Sequence, residues 1–299
     1  MAPSSSSEQQ HHHLLLFDFD HTVCDGNTDT WILRALPPLE GRTTTSDGNA
    51  GNAAATTSPR ATCLPPHLRN PRDPNGWTAY MQTVFDYAHD ATGVGADDFR
   101  RALRSLPLTA GFGRLLNAIS EADAMTISAG IISDSNSLYI PWTLEANGFE
   151  DPSRLFLRGV HTNPATLCAE GRRLTVRPHE TSPHGCALAC PPNMCKGKRV
   201  RAIAGAGSGE GGEGRSRPKG LRVAFVGDGG NDFCAAASLQ RGDAVFARRG
   251  MRLDRLLMEQ EEQQKHEGGS SKVVVAEVVR WDSGDEILEW LRTNWGVLC

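Results

Sequence analysis

The sequence predicts an α/β fold in which helices cover both faces of a parallel sheet. Three observations lead there. Apolar runs of strand length recur at residues 14–17, 124–132 and 221–226, and such runs belong to strands buried on both faces. Stretches with helical spacing separate them, which is the βαβ order of a parallel sheet. Each run also ends in polar groups: Asp18 and Asp20, then Ser133 and Asp134, then Asp228.

The 299 residues suffice for one large domain or two modest ones, and a core of that size needs no disulfide staples. Eight unevenly spaced cysteines are therefore expected to be reduced thiols. A net charge of −4 gives no field that would favour nucleic acid, and no apolar run reaches the length of a membrane span. Residues 1–13 are rich in Ser, Gln and His, do not read as a signal peptide and are expected to be a disordered tail. His11, His12 and His13 could bind a transition metal, but a tract without a role is favoured. The expected setting is the cytoplasm, and the expected state a monomer or homodimer.

Taken in order, residues 14–20 form the first strand, and the turn-rich residues 21–29 lead into a short helix at 30–36, stopped by Pro37-Pro38. Residues 40–75 hold few large apolar side chains and are expected to be a flexible insertion. Helical spacing returns at 77–91, through Trp77, Tyr80, Met81, Val84 and Tyr87, and again at 97–106. Together residues 37–107 would form a small helical cap inserted after the first strand. A helix from Thr109 then precedes the second core strand, and another follows it through Gly148. Residues 173–176 read as a strand piece, 204–220 as a flexible insertion and 221–228 as the third core strand. Strands at 243–247 and 272–275, a polar loop or frayed helix end at 259–271, and an amphipathic helix at 286–290 complete the chain. The core would thus comprise 14–36 and 108–299.

In an open parallel sheet, ligands bind beyond the carboxyl ends of the strands. There the acids would meet Lys196, which opens a further helix. Carboxylates, a hydroxyl and an ammonium in one crevice suit a phosphate monoester held with one Mg²⁺. Asp18, nearest the strand end, would attack phosphorus, and Asp20 would protonate the leaving alkoxide and later activate water. Ser133 would donate to a phosphoryl oxygen, and Lys196 would offset charge on the transferring group. Asp18, Asp20 and Asp228 would ligate the metal with Asp232, the last lying close behind. Ser128 sits in a Ser-Ala-Gly context that offers a second hydroxyl, but Ser133 fits better.

The motifs Asp18-Phe19-Asp20-His21-Thr22-Val23, Ile132-Ser133-Asp134, Lys196 and Gly227-Asp228-Gly229-Gly230-Asn231-Asp232 resemble the four motifs of the haloacid-dehalogenase-like phosphatases. More narrowly, residues 17–29, 184–196 and 227–250 resemble the phosphoethanolamine/phosphocholine phosphatase family, whose relatives include enzymes acting on pyridoxal phosphate. The resemblance covers residues 14–36 and 77–299. It implies a Rossmann-like core with a helical cap after the first strand, an aspartyl-phosphate intermediate, and a phosphoethanolamine or phosphocholine substrate. Pyridoxal phosphate or another small phosphometabolite is the alternative, and a catalytically idle binding relative is a third. Intact Asp18, Asp20, Lys196 and Asp228 count against the last.

Asp29 and Asp134 are carboxylates beyond what a metal and a nucleophile need, and they could bind an amine head group. Trp31, Trp77 or Tyr80 could add an aromatic face. Against this, Asp29 could simply cap the helix near Thr30, and the aromatics could be cap core. His184, Cys186, Cys190 and Cys195 crowd before Lys196, with thiol spacing close to that of structural Zn²⁺ sites. A metal-free loop that positions Lys196 is favoured over Zn²⁺ at Cys186, Cys190 and Cys195. Cys24, Cys63, Cys168, Cys234 and Cys299 receive no role.

Overall fold

A computed structural model describes residues 12–39, 62–70, 76–168, 170–188, 190–205, 216–267 and 273–298. The strands of the main sheet are β1 (His13–Phe17), β2 (Ile127–Asn136), β3 (Val160–Asn163), β6 (Arg222–Gly227), β7 (Ala244–Arg248) and β8 (Glu277–Trp281). They stand in the order β3-β2-β1-β6-β7-β8, every pair parallel. The chain winds outward from β1 in one direction through β2 and β3, then in the other through β6, β7 and β8. The reversal opens a crevice between β1 and β6, where an open α/β sheet takes its ligand. A two-stranded antiparallel ribbon, β4 (Ala165–Leu167) and β5 (Leu174–Val176), lies apart from the sheet.

Alternation along the strands builds two apolar layers. Leu15, Phe17, Ala129, Ile131, Ala224, Val226 and Phe246 point into one, and Leu14, Leu16, Ile132, Val223, Phe225 and Val245 into the other. The first layer takes α2 (Trp77–Thr92), α3 (Ala96–Leu103), α4 (Phe112–Glu121), α5 (Tyr139–Ala146) and α10 (Gly284–Trp295). The second takes α7 (Lys196–Gly205), α8 (Phe233–Ala237) and α9 (Arg252–Glu267). Two short helices, α1 (Thr28–Trp31) and α6 (Pro152–Leu155), are also present. Both helices expected in the cap are present, and Phe85 and Phe99 meet Tyr139 of α5 at ring distances of 6.1 and 6.5 Å.

Several boundaries differ from expectation. The helix at 30–36 begins at Thr28, because Asn27 caps it through the Thr30 amide, and it tightens to a 3₁₀ turn over Ile32–Ala35. The loop or frayed end expected at 259–271 is helical to Glu267, since its Glu, Gln and Lys are all good helix formers. The strand expected at 272–275 lies instead at Glu277–Trp281. There Trp281 is buried against Phe112, while the Val274 amide is taken up by Gln260 Oε1 at 2.8 Å. The closing helix runs on both sides of the expected 286–290.

His13 opens β1 rather than closing a tail. His12 Nδ1 donates to Met125 O at 2.8 Å, and the His13 ring lies 4.9 Å from that of Trp295. The rest of the expected tail, most of 40–75 and residues 206–215 fall outside the described residues. Among the described residues, no helix is long and apolar enough to cross a membrane.

Candidate active site

The crevice gathers side chains from segments far apart in the chain. Asp18 follows β1, and its Oδ1 accepts the Phe19 amide at 2.7 Å and Lys196 Nζ at 2.9 Å. Lys196, the first residue of α7, is 1% exposed and also donates to Asp232 Oδ1 at 2.7 Å. A buried ammonium is costly unless paired, and two carboxylates pair this one. Burial alone would lower its pKa, yet Asp18, Asp232 and Asp134 hold it above the usual lysine range.

Asp228 follows β6 and accepts the Thr22 hydroxyl at 3.0 Å. Asp232 closes the same loop, its Oδ2 taking the amides of Asp228 at 2.9 Å and Gly229 at 2.8 Å. A Cβ at Gly227 would run into that carboxylate, so the turn admits only glycine. The carboxylate oxygens of Asp18, Asp228 and Asp232 lie within 4.8 Å of one another.

Three buried carboxylates against one ammonium leave an excess of negative charge. Burial first, then neighbouring acids, pushes Asp18 well above the usual carboxylate range and Asp228 to about 7. A hard divalent cation suits such an oxygen donor set and would relieve the repulsion. Asp18 and Asp228 are the better donors, because Lys196 and two amides already occupy Asp232.

A family model described as "Putative Phosphatase" matches residues 41–294. The pyridoxal phosphate phosphatase PHOSPHO2 of Bos taurus is 33% identical over 93% of this chain and 96% of its own length. The chain belongs to this phosphatase family. The human phosphoethanolamine/phosphocholine phosphatase is 32% identical over 91% of this chain and 85% of its own. Among solved structures, a phospho-aspartyl intermediate analogue of phosphoserine phosphatase aligns with a TM-score of 0.52 at 13% identity. It covers 94% of this chain and 99% of that one. The likeness shows the haloacid-dehalogenase-like, Rossmann-like core, and the protein is a phosphomonoesterase.

In this phosphatase the Asp20 carboxylate stands outside the three-carboxylate cluster, contrary to its expected place among the metal ligands. It is turned toward the next loop, where it accepts the Thr28 amide at 2.9 Å, the Thr28 hydroxyl at 3.2 Å and Asn27 Nδ2 at 3.1 Å. Burial, reinforced by Asp29, raises its pKa to about 7. Ser133 is buried, two residues beyond the Phe17–Ile131 pair, at the site end of β2. Ser128 pairs with Leu14 at the opposite end and is bonded to Arg158 Nε, which removes it from the site.

Asp29, Trp77 and Asp134 line one narrow cleft with Ser135, Asn136 and Asn163. Asp29 accepts Trp77 Nε1 at 2.5 Å and does not cap its helix, since Asn27 does. Trp31 and Tyr80 face elsewhere: Trp31 donates to Ala102 O and lies under Arg34, and the Tyr80 hydroxyl donates to Leu68 O. Asp134 is gripped by Asn193 Nδ2 at 2.6 Å and Asn231 Nδ2 at 2.5 Å.

Thr22, Asn27, Thr28, Asn193 and Asn231 hold Asp228, Asp20 and Asp134 in place, yet sequence reasoning gave them no part. Their positions inside or beside the motifs were the available signal.

Proposed function

We propose that this phosphatase hydrolyses small phosphomonoesters with Mg²⁺ through an aspartyl-phosphate on Asp18, and that phosphoethanolamine or phosphocholine is its substrate. The observation that carries the proposal is Lys196 lodged between Asp18 and Asp232, with Asp228 in the same buried cluster. Bound Mg²⁺, held by Asp18 and Asp228, would neutralise charge on the phosphoryl oxygens. Asp18 Oδ2 attacks phosphorus while Phe19 N–H and Lys196 fix Oδ1. As the P–O bond to the leaving group breaks, Asp20 gives that oxygen its proton. Water then attacks the phosphorus of the aspartyl-phosphate, Asp20 takes its proton, and phosphate leaves with Asp18 restored. An Asp20 pKa near 7 suits both duties around neutral pH. Ser133 and Lys196 bind the phosphoryl oxygens. Trp77, the first residue of α2, stands beside Asp29.

Asp29, Asp134 and the Trp77 ring support an amino-alcohol head group, since carboxylates and an indole face attract an ammonium. Pyridoxal phosphate is the second reading, favoured by the name of the bovine relative. A phosphate-release screen over phosphoethanolamine, phosphocholine, pyridoxal phosphate and neutral esters, run with Mg²⁺ beside Asp18→Asn, tests both. The expected result is preference for the cationic esters and no turnover by the variant. Preference for pyridoxal phosphate would shift the assignment to the second reading, and release by Asp18→Asn would remove the nucleophile.

A further inference from the structure

The expected thiol cluster changes membership in the fold. His184 is not part of it: Nε2 lies 3.0 Å from Pro191 O, and Nδ1 accepts the Cys186 amide at 3.2 Å. Its place is taken by Cys234, the second residue of α8, which no local spacing in the sequence connects to the others. The Sγ atoms of Cys186, Cys190, Cys195 and Cys234 all lie within 4.8 Å of one another.

Neighbouring pairs are 3.4 Å (Cys186–Cys234), 3.4 Å (Cys190–Cys186) and 3.5 Å (Cys195–Cys234) apart, and all four cysteines are free thiols. A disulfide would bring two sulfurs to about 2.0 Å. Four sulfurs around a tetrahedral ion at about 2.3 Å stand about 3.8 Å from each other, close to the spacing seen.

Other features prepare the sulfurs for a cation. The Leu188 amide donates to Cys186 Sγ and the Lys198 amide to Cys195 Sγ, both at 3.4 Å. Cys195 also stands directly before the first turn of α7, whose amide dipoles favour negative charge. Gly197 lets α7 approach closely: a Cβ there would lie 2.5 Å from Cys234 O and 2.6 Å from its Sγ. An all-sulfur donor set excludes Mg²⁺ and selects a softer ion, and closed four-thiolate sites suit Zn²⁺.

We propose that Cys186, Cys190, Cys195 and Cys234 form a closed four-thiolate Zn²⁺ site that pins the loop before Lys196 to the helix after Asp232. Each thiol releases its proton to solvent as its Sγ–Zn bond forms, and no electron is transferred. Cys195 adjoins Lys196 and Cys234 lies two residues past Asp232, so the ion would fix the relative position of that buried pair. The four thiols make this site whether or not the head-group assignment holds.

The test is elemental analysis of the full chain, expressed without a tag in zinc-supplemented medium and desalted into Mg²⁺ buffer. The expected content is about one Zn per chain. Cys234→Ser and Cys190→Ser should each fall below about a tenth of that, while Cys168→Ser, an exposed cysteine outside the cluster, keeps it. Cobalt in place of zinc should give thiolate charge-transfer bands and strong tetrahedral d–d absorption, which imidazoles of the histidine tract would not produce. Phosphate release by the zinc-free variants should drop about ten- to a hundredfold.

A parent protein with under about a tenth of a Zn per chain and no thiolate band with cobalt would overturn the site. So would retention of full zinc by Cys234→Ser. If Cys234→Ser does not fold, Cys190→Ser and chelator release of zinc from the folded parent decide the matter.

Discussion

Asp20 illustrates how one carboxylate can be withheld from a carboxylate cluster that begins two residues away. Asn27 and Thr28 turn it aside, and the proposed mechanism makes it the acid for the leaving group. Asp20→Asn keeps the shape and loses the proton, so alkyl phosphate hydrolysis should fall about 10²- to 10⁴-fold. p-Nitrophenyl phosphate, whose leaving group needs no proton, should be much less affected in the same phosphate-release assay. Equal losses on both esters would argue that Asp20 has another role. Asp29 permits a parallel test of recognition. Asp29→Asn should raise KM for phosphocholine about tenfold, equivalent to roughly 1.4 kcal/mol, and leave KM for glycerol phosphate nearly unchanged. A matching rise on the neutral ester would assign Asp29 to holding Trp77 and the loop rather than to the amine.

At the scale of elements, β3 and the segment after β5 bring together His161 and His179, with rings 6.5 Å apart. Burial lowers both pKa values, and Arg199 lowers them further, against opposing hydrogen bonds to the carbonyls of Arg158 and Thr162 and, for His179, the charges of Glu180 and Asp134. A depressed histidine favours the folded state above its ordinary value of 6.5, and that contribution is lost as the pH falls toward the folded value. His161→Gln/His179→Gln should therefore lose less stability than the parent between about pH 7 and 5.5, read as urea midpoints. Parallel slopes would exclude the pair as the source.

The elements also show what local pattern conveys and what it omits. The runs at 14–17 and 221–226 were legible because their length suits strands buried on both faces and too few apolar residues follow to continue a helix, and the acids that end them marked the candidate site. The strand at Glu277–Trp281 was not, because Val273-Val274-Val275 is the more apolar stretch and only pairing with β7 and burial of Trp281 set the register. The partnerships of Cys234 and Asn231 were invisible for the same reason. Their partners lie 39 to 97 residues away, and only tertiary contact makes them neighbours.

At the scale of the whole molecule, the site draws together β1, the loop after β6 and the start of α7, so its charge state acts on the stability of the entire core. Without a cation, Asp18, Asp228 and Asp232 repel one another, and burial raises the pKa of Asp18 and Asp228. Under the proposed mechanism Mg²⁺ held by Asp18 and Asp228 is a ligand that the unfolded chain does not organise, and the fold should gain about 2.7 kcal/mol at a hundred times Kd. Asp228→Asn should therefore reverse the order of two melting curves. In EDTA the variant should melt at or above the parent, because one buried like charge is gone and the amide oxygen still accepts from Thr22. In saturating Mg²⁺ it should melt below the parent, because a metal ligand is gone. A loss of stability in EDTA as well as in Mg²⁺ would mean that Asp228 serves the fold through its bond to Thr22. Equal gains from Mg²⁺ in both proteins would place the ion elsewhere. The reversal alone combines destabilisation by repulsion with stabilisation by a shared cation, which is the expected behaviour of carboxylates kept together for binding rather than for packing.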